Sequence, residues 1–110
     1  MAISYVHKAG VIHRDIKLEN VMVDLQPTKG EPTVADIVCK LTDFGFACLD
    51  TPGLEEPNIS CGTPVYMAPE MVKGGSYDQK VDIWSLGCIV FAILTSQFPF
   101  NARNKQLIFA

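Results

Sequence analysis

The chain has 110 residues, with 12 acidic and 9 basic side chains and a formal net charge of −3. Apolar residues at 48% against 19% charged exclude a disordered chain; with no basic excess, nothing points to nucleic acid or to a membrane surface as a partner. Four cysteines without a CxxC pair or metal-ligand spacing exclude a disulfide scaffold and a zinc module, and reduced thiols in the cytoplasm, with the nucleus as second compartment, are expected.

The first ten residues are not a secretory signal, because Ser4, His7 and Lys8 interrupt the apolar run. Residues 2–8 predict a helix, and Gly10 suits the left-handed position after a helix end. A helix that starts with the chain and has no cap before it reads as the end of a longer one. Residues 11–20 mix apolar and charged side chains without a period and read as a loop. Residues 21–25 and 38–41 are short β-favouring runs. Between them lies the breaker cluster Gln26-Pro27-Thr28-Lys29-Gly30-Glu31-Pro32, so the runs predict an antiparallel hairpin with a long connection. Residues 43–67, rich in Gly, Pro, Asn, Ser and Thr, read as a long loop, a kind that is usually functional or mobile. Residues 69–72 predict a short helix. Ser76-Tyr77-Asp78-Gln79 offers a capping box, with Asp78 as rival cap, before the run VDIWSLGCIVFAIL at 81–94. That run is apolar nearly all round, which predicts a helix buried on every side. Its 14 residues fall short of the roughly 20 that a bilayer requires. Pro99 is expected to end it, and residues 103–110 to begin another helix.

The chemistry concentrates in two places. His13-Arg14-Asp15-Ile16-Lys17-Leu18-Glu19-Asn20 puts Asp, Lys and Asn at i, i+2 and i+5, and Asp43-Phe44-Gly45 begins 23 positions after Asn20. A carboxylate can accept a hydroxyl proton and a lysine can neutralise a transferring phosphoryl group. An amide oxygen and a second carboxylate are hard oxygen ligands of the kind magnesium takes. Placing these groups at the two ends of one hairpin lets a rigid element converge them. Any one of them in a loop would more often be a turn former or a cap; the combination reads as a phosphoryl-transfer set.

Together with GTPVYMAPE at 62–70 and DIWSLG at 82–87, these segments resemble four motifs of the eukaryotic Ser/Thr protein kinases. They match the catalytic loop, the metal-binding motif, the end of the activation segment and the central buried helix, and that family's general scheme supplies the roles that follow. The calcium/calmodulin-dependent and AMP-activated-like group is the most similar. The resemblance spans the whole chain and implies an α+β, protein-kinase-like fold in part. Residues 1–110 would be a mainly helical C-lobe with short β hairpins, without the N-lobe and the terminal C-lobe helices. The implied reaction is transfer of the γ-phosphoryl group of ATP to Ser or Thr hydroxyls of a protein substrate. ATP and Mg2+ are the implied cofactors, and a regulatory protein is a further candidate partner.

By the same resemblance, Asp15 is the catalytic base and Lys17 the lysine beside the γ-phosphate. A lysine two residues after the Asp is the Ser/Thr pattern. Asn20 and Asp43 are the implied magnesium ligands. Thr63 would bond the base and shape the substrate site, and Met22, with Ile89 and Ile93, would floor the adenine. Arg14 would bind an activation-segment phosphate; the usual phosphosite is Ile59 here, which leaves Ser60 as the candidate carrier. Asp82 would hold the catalytic-loop amides. His13 and Phe44 would stack between lobes, beside Gly45. Glu70 would pair with an arginine further on; unpaired and buried, it would be costly. His7 reads as helix surface. The cysteines read as small core or loop residues, with Cys61 the most open to reaction.

The sequence departs from the family in three ways. The 110 residues contain no glycine-rich phosphate loop, no lysine for the α and β phosphates and no glutamate to pair with it, so the isolated chain is expected to be inactive. The stretch between Asn20 and Asp43 is longer than usual and reads as a surface excursion. Glu19 hints at a preference for basic substrates, whereas Ala92 does not. Two alternatives to a working kinase segment therefore stand: a binding or scaffold module, and an incomplete gene product.

Overall fold

The computed structural model describes residues 2–27, 29–31, 33–51 and 60–100. Residues 52–59 of the expected long loop and the helix expected from residue 103 lie outside these. The helices are α1 (Ala2–Lys8), α2 (Pro69–Val72) and α3 (Lys80–Thr95). The strands are β1 (Val11–Ile12), β2 (Val21–Leu25), β3 (Ile37–Leu41) and β4 (Cys48–Leu49), with single 3₁₀ turns at Leu18–Asn20, Val34–Asp36 and Pro64–Tyr66. This is an α+β arrangement of a few helices and short antiparallel pairs, as expected. No helix among the described residues is long and apolar enough to cross a membrane.

The expected hairpin forms. β2 and β3 pair antiparallel from Val21↔Leu41 to Leu25↔Ile37. Its connection is tightened before β3, where the Asp36 carboxylate accepts both the backbone N–H and the hydroxyl of Thr33 at 2.7 Å. A second pair, Val11↔Leu49 and Ile12↔Cys48, joins β1 to β4 inside stretches that read as loop. Strands of two residues are too short to show the alternation by which a strand is recognised.

Two clusters make the core. Ile12, Ala68, Met71, Tyr77 and Val81 form one; Ile16, Tyr66, Cys88 and Ile89 form the other. Trp84 packs against both. At the start of α3 Asp78 Oδ1 accepts the Lys80 N–H at 2.8 Å, but the N-cap position is Gln79, without a side-chain cap bond, so Asp78 is not the cap expected as the rival of Ser76. The end of α3 is made by Ser96, which turns left-handed at φ 58° and donates its N–H to Ala92 at 2.8 Å. Pro99 lies beyond that end and does not create it. Burial on every side is also corrected. Val81, Asp82, Ser85, Cys88 and Ile89 form one buried stripe, while Ile93 and Leu94 are 65% and 79% exposed. Apolarity all round shows which faces could be buried; only packing partners decide which are.

Two half-buried carboxylates, Asp24 and Asp36, give the fold a measurable acid response. Lys40 Nζ donates to Asp24 Oδ2 at 2.6 Å across the hairpin and holds the Asp24 pKa below its ordinary value. The Thr33 backbone N–H, and then its hydroxyl, do the same for Asp36. A depressed folded-state pKa contributes stability above the unfolded value, and the contribution is lost as pH falls through the folded one. Both groups are solvent-facing, so the contribution is small and salt-screened. Carboxyl-carbon NMR titration should place both midpoints below the usual Asp value. Lys40→Ala should return Asp24 to it and leave Asp36 low; equal behaviour of the two would contradict these assignments.

Candidate active site

The site is assembled around Asp82, in the first turn of α3 and 1% exposed. Its Oδ1 accepts the Arg14 backbone N–H at 2.9 Å, and its Oδ2 accepts the His13 N–H at 2.9 Å. A third bond, 2.9 Å, joins Oδ2 to His7 Nε2. Without these bonds the two amides would be buried donors with no acceptor, a costly state. The bonds fix the loop where Arg14 takes a left-handed φ of 69°. His7 is therefore not free helix surface: its side chain is 12% exposed and is spent on Asp82.

His13 is fully buried and links the loop to the segment after β3. Its Nε2 donates to the Thr42 carbonyl at 3.0 Å and its Nδ1 accepts the Asp15 N–H at 3.3 Å, so the ring carries its proton on Nε2. Its edge meets the Phe44 ring with centroids 4.7 Å apart. The Asn20 carbonyl accepts both the N–H and the hydroxyl of Thr42, at 2.9 and 3.2 Å. The His13–Asn20 loop and the Asp43-Phe44-Gly45 turn are thus tied together by three bonds through Thr42. Asp43 itself is left-handed at φ 59°, a conformation Asp tolerates better than most side chains. Its Oδ1 accepts the Gly45 N–H at 3.1 Å.

At the centre, Asp15 is 4% exposed. Lys17 Nζ lies 2.9 Å from its Oδ2. Thr63 Oγ1 donates to its Oδ1 at 3.2 Å and accepts from Lys17 Nζ at 3.1 Å, which closes a triangle. The bond to Asp15, first of all, raises the Lys17 pKa. Asn20 Nδ2 donates to the Asp15 carbonyl at 2.9 Å and to its Oδ2 at 3.3 Å. Thr63 can come this close because residue 62 is glycine. Gly62 has φ 104°, and a Cβ there would stand 2.7 Å from the Arg14 carbonyl oxygen.

Asn20 spends its amide nitrogen on Asp15, which leaves its oxygen as a donor, and Asp43 keeps one oxygen clear of Gly45. Two hard oxygen donors of this kind fit magnesium and not zinc. No group of three or more His, Cys, Asp or Glu suited to a metal occurs among the described residues. The Arg14 guanidinium is held by the Phe46 carbonyl, through Nε, and by the Tyr77 hydroxyl, through Nη1 at 3.1 Å. Burial pulls its pKa down, but the Tyr77 bond and neighbouring charges leave it raised. Ser60 is exposed.

Other expectations fare differently. Glu70 is exposed in the first turn of α2, so the cost foreseen for a buried unpaired carboxylate does not arise. Met22 is 55% exposed on β2 opposite Lys40. Of the three residues expected under an adenine, only Ile89 joins a core cluster. Sequence reasoning missed His7, Thr42 and Tyr77, whose partners lie 22 to 75 positions away and leave no local signal.

The sequence matches the protein kinase domain over residues 1–110. It is 41% identical over 103 residues to the serine/threonine-protein kinase unc-51 of Caenorhabditis elegans, covering 94% of this chain and 12% of that protein. Identity to serine/threonine-protein kinase 33 of Bos taurus is 39% over 110 residues, covering 98% of this chain and 22% of the relative. A probable myosin light chain kinase of Dictyostelium discoideum is 41% identical over 107 residues, with 97% and 28% covered. The chain spans less than a third of the length of each of these relatives.

Proposed function

The chain belongs to the protein kinase family, and from that premise we propose that it carries the phosphoryl-transfer half of a Ser/Thr kinase site. The observation that carries this reading is the closed triangle of Asp15, Lys17 and Thr63. In this reading Asp15 Oδ1 or Oδ2 accepts the hydroxyl proton of a protein Ser or Thr as that oxygen attacks. Lys17, already paired with Asp15, offers its ammonium to the developing phosphoryl charge. Thr63 gives up part of its bonding when the acceptor hydroxyl arrives, and its place in the triangle sets how near that hydroxyl comes. Asn20 and Asp43 are the residues that would hold Mg2+ with ATP; bound there, the ion neutralises phosphate charge. Met22, on β2, is the residue proposed against the adenine. His13, Phe44 and Gly45 keep the two loops in register, and Asp82 keeps the catalytic loop in shape. Ser60, one residue before Cys61, is the candidate carrier of a phosphate for Arg14.

The 110 residues by themselves are proposed to be inactive, because a base and metal ligands without a phosphate-covering loop hold only part of ATP. A radiolabelled-ATP assay of the purified 110-residue chain on a generic basic protein should read background. Robust transfer that disappears in Asp15→Ala would overturn this. Expressed from its complete coding sequence, the protein should give phosphoserine and phosphothreonine and no phosphotyrosine. A tyrosine product would refute the Ser/Thr assignment.

A further inference from the structure

Arg14 is anchored at both ends without an anion. Its backbone N–H is held by Asp82, and its carbonyl lies against Gly62. At the far end of the side chain, Nε donates to the Phe46 carbonyl and Nη1 donates to the Tyr77 hydroxyl at 3.1 Å. Among the described residues no carboxylate pairs with this guanidinium. A half-buried arginine fork is suited to a carboxylate or a phosphate; here it is held by two neutral oxygens. One of them stands on firm ground. Tyr77 is 8% exposed and belongs to the core cluster of Ile12, Ala68, Met71 and Val81. Burial, more than any other factor, pushes the Tyr77 pKa up, so its hydroxyl stays neutral and accepts the Arg14 bond as such.

We propose that Tyr77 is a positioning residue for phosphoryl transfer: its hydroxyl holds Arg14, and through Arg14 the Asp15 carboxylate, so that the site is set without a phosphate on the neighbouring segment. This rests on the kinase reading given above. Arg14 and Asp15 share a peptide bond, and Arg14 is left-handed at φ 69°. A conformation of that kind persists only where its surroundings over-determine it. Asp82 fixes the backbone of Arg14 on one side. Tyr77 and Phe46 fix the tip of its side chain on the other. A long side chain gives up rotamer freedom when it is held, and a packed ring supplies a point that does not move with it.

The same guanidinium reaches the second loop. Through the Phe46 carbonyl it joins the His13–Asn20 loop to the residue that follows Asp43-Phe44-Gly45, beside the bonds that run through Thr42. Tyr77, from the approach to α3, therefore steadies both loops by one hydrogen bond. A phosphate on Ser60 would meet the N–H donors that these two bonds leave over, and would add to an arrangement already in place.

The test compares Tyr77→Phe with the parent, both expressed from the complete coding sequence. Phenylalanine keeps the packed ring and removes only the hydroxyl. The kcat should fall by about 10- to 10²-fold, the scale of one hydrogen bond to a charged group, with the KM for ATP unchanged. The parent stripped of phosphate by a phosphatase should keep most of its transfer. Arginine side-chain NMR reads the bond without passing through activity. The Arg14 Nε–H signal, identified by its loss in Arg14→Lys, should shift and exchange faster with solvent in Tyr77→Phe. An unmoved signal would overturn the proposal whether or not the protein transfers phosphate, and so would a parental kcat in Tyr77→Phe. Transfer that vanishes from the phosphatase-treated parent would overturn the setting of the site without phosphate. A shifted signal in a parent that transfers nothing to Ser or Thr would refute the kinase reading, and with it the role of Tyr77 in transfer.

Discussion

Asp15→Asn should lower phosphoryl transfer by about 10²- to 10⁴-fold, the range a positioned general base supplies, in the protein expressed from its complete coding sequence. The amide keeps the size of the carboxylate and can still accept the Thr63 hydroxyl, which now lies 3.2 Å from Oδ1. What it loses is a site for the substrate proton and the ion pair with Lys17 at 2.9 Å. The loss should fall on kcat with little change in the KM for ATP, because Asp15 meets the acceptor hydroxyl and not the nucleotide. The amide fills the same space and keeps the Thr63 bond, so the thermal melt should move less than in a variant that removes the side chain. A variant that keeps transfer within about tenfold of the parent would remove Asp15 from the role of base.

How far the sequence reveals this site depends on the distance between partners. Asp15, Lys17 and Asn20 fall within six consecutive positions, and their chemistry reads directly from spacing and from resemblance. The β2–β3 hairpin is equally legible, since two β-favouring runs flank a cluster of Pro and Gly. The bond from Thr63 to Asp15 spans 48 positions and is anticipated only through family likeness. His7 bonds to Asp82 across 75 positions, and a lone histidine on a short helix gives no hint of it. The β1–β4 pair is hidden because two residues cannot show a period. The open face of α3 is hidden for another reason. Leu94 and Ile93 are as apolar as Val81 and Ile89, so residue type cannot say which of them finds a neighbour.

The largest loss of stability should come from Asp82→Ala, about 3–5 kcal/mol by the measure of breaking a buried, hydrogen-bonded charge. Three donors converge on this one carboxylate, from His7, His13 and Arg14. Alanine leaves the His13 amide, itself fully buried, with no acceptor, and unmet donors of that kind each cost about 1–3 kcal/mol. His7→Ala removes a single bond and should cost about 1 kcal/mol. In the protein expressed from its complete coding sequence, the two variants should separate clearly in a thermal melt followed by circular dichroism. Hydrogen exchange should locate the damage: the His13 and Arg14 amides should lose protection before the β2–β3 ladder does. Arg14 holds its left-handed φ of 69° only while Asp82 fixes its N–H and that of His13. Once it relaxes, Asp15 turns with it. Asp82→Ala should therefore lose stability and transfer together, whereas the loss in Asp15→Asn should fall mainly on transfer. An Asp82→Ala protein within about 1 kcal/mol of the parent, with both amides still protected, would mean that the loop is shaped by something other than this carboxylate.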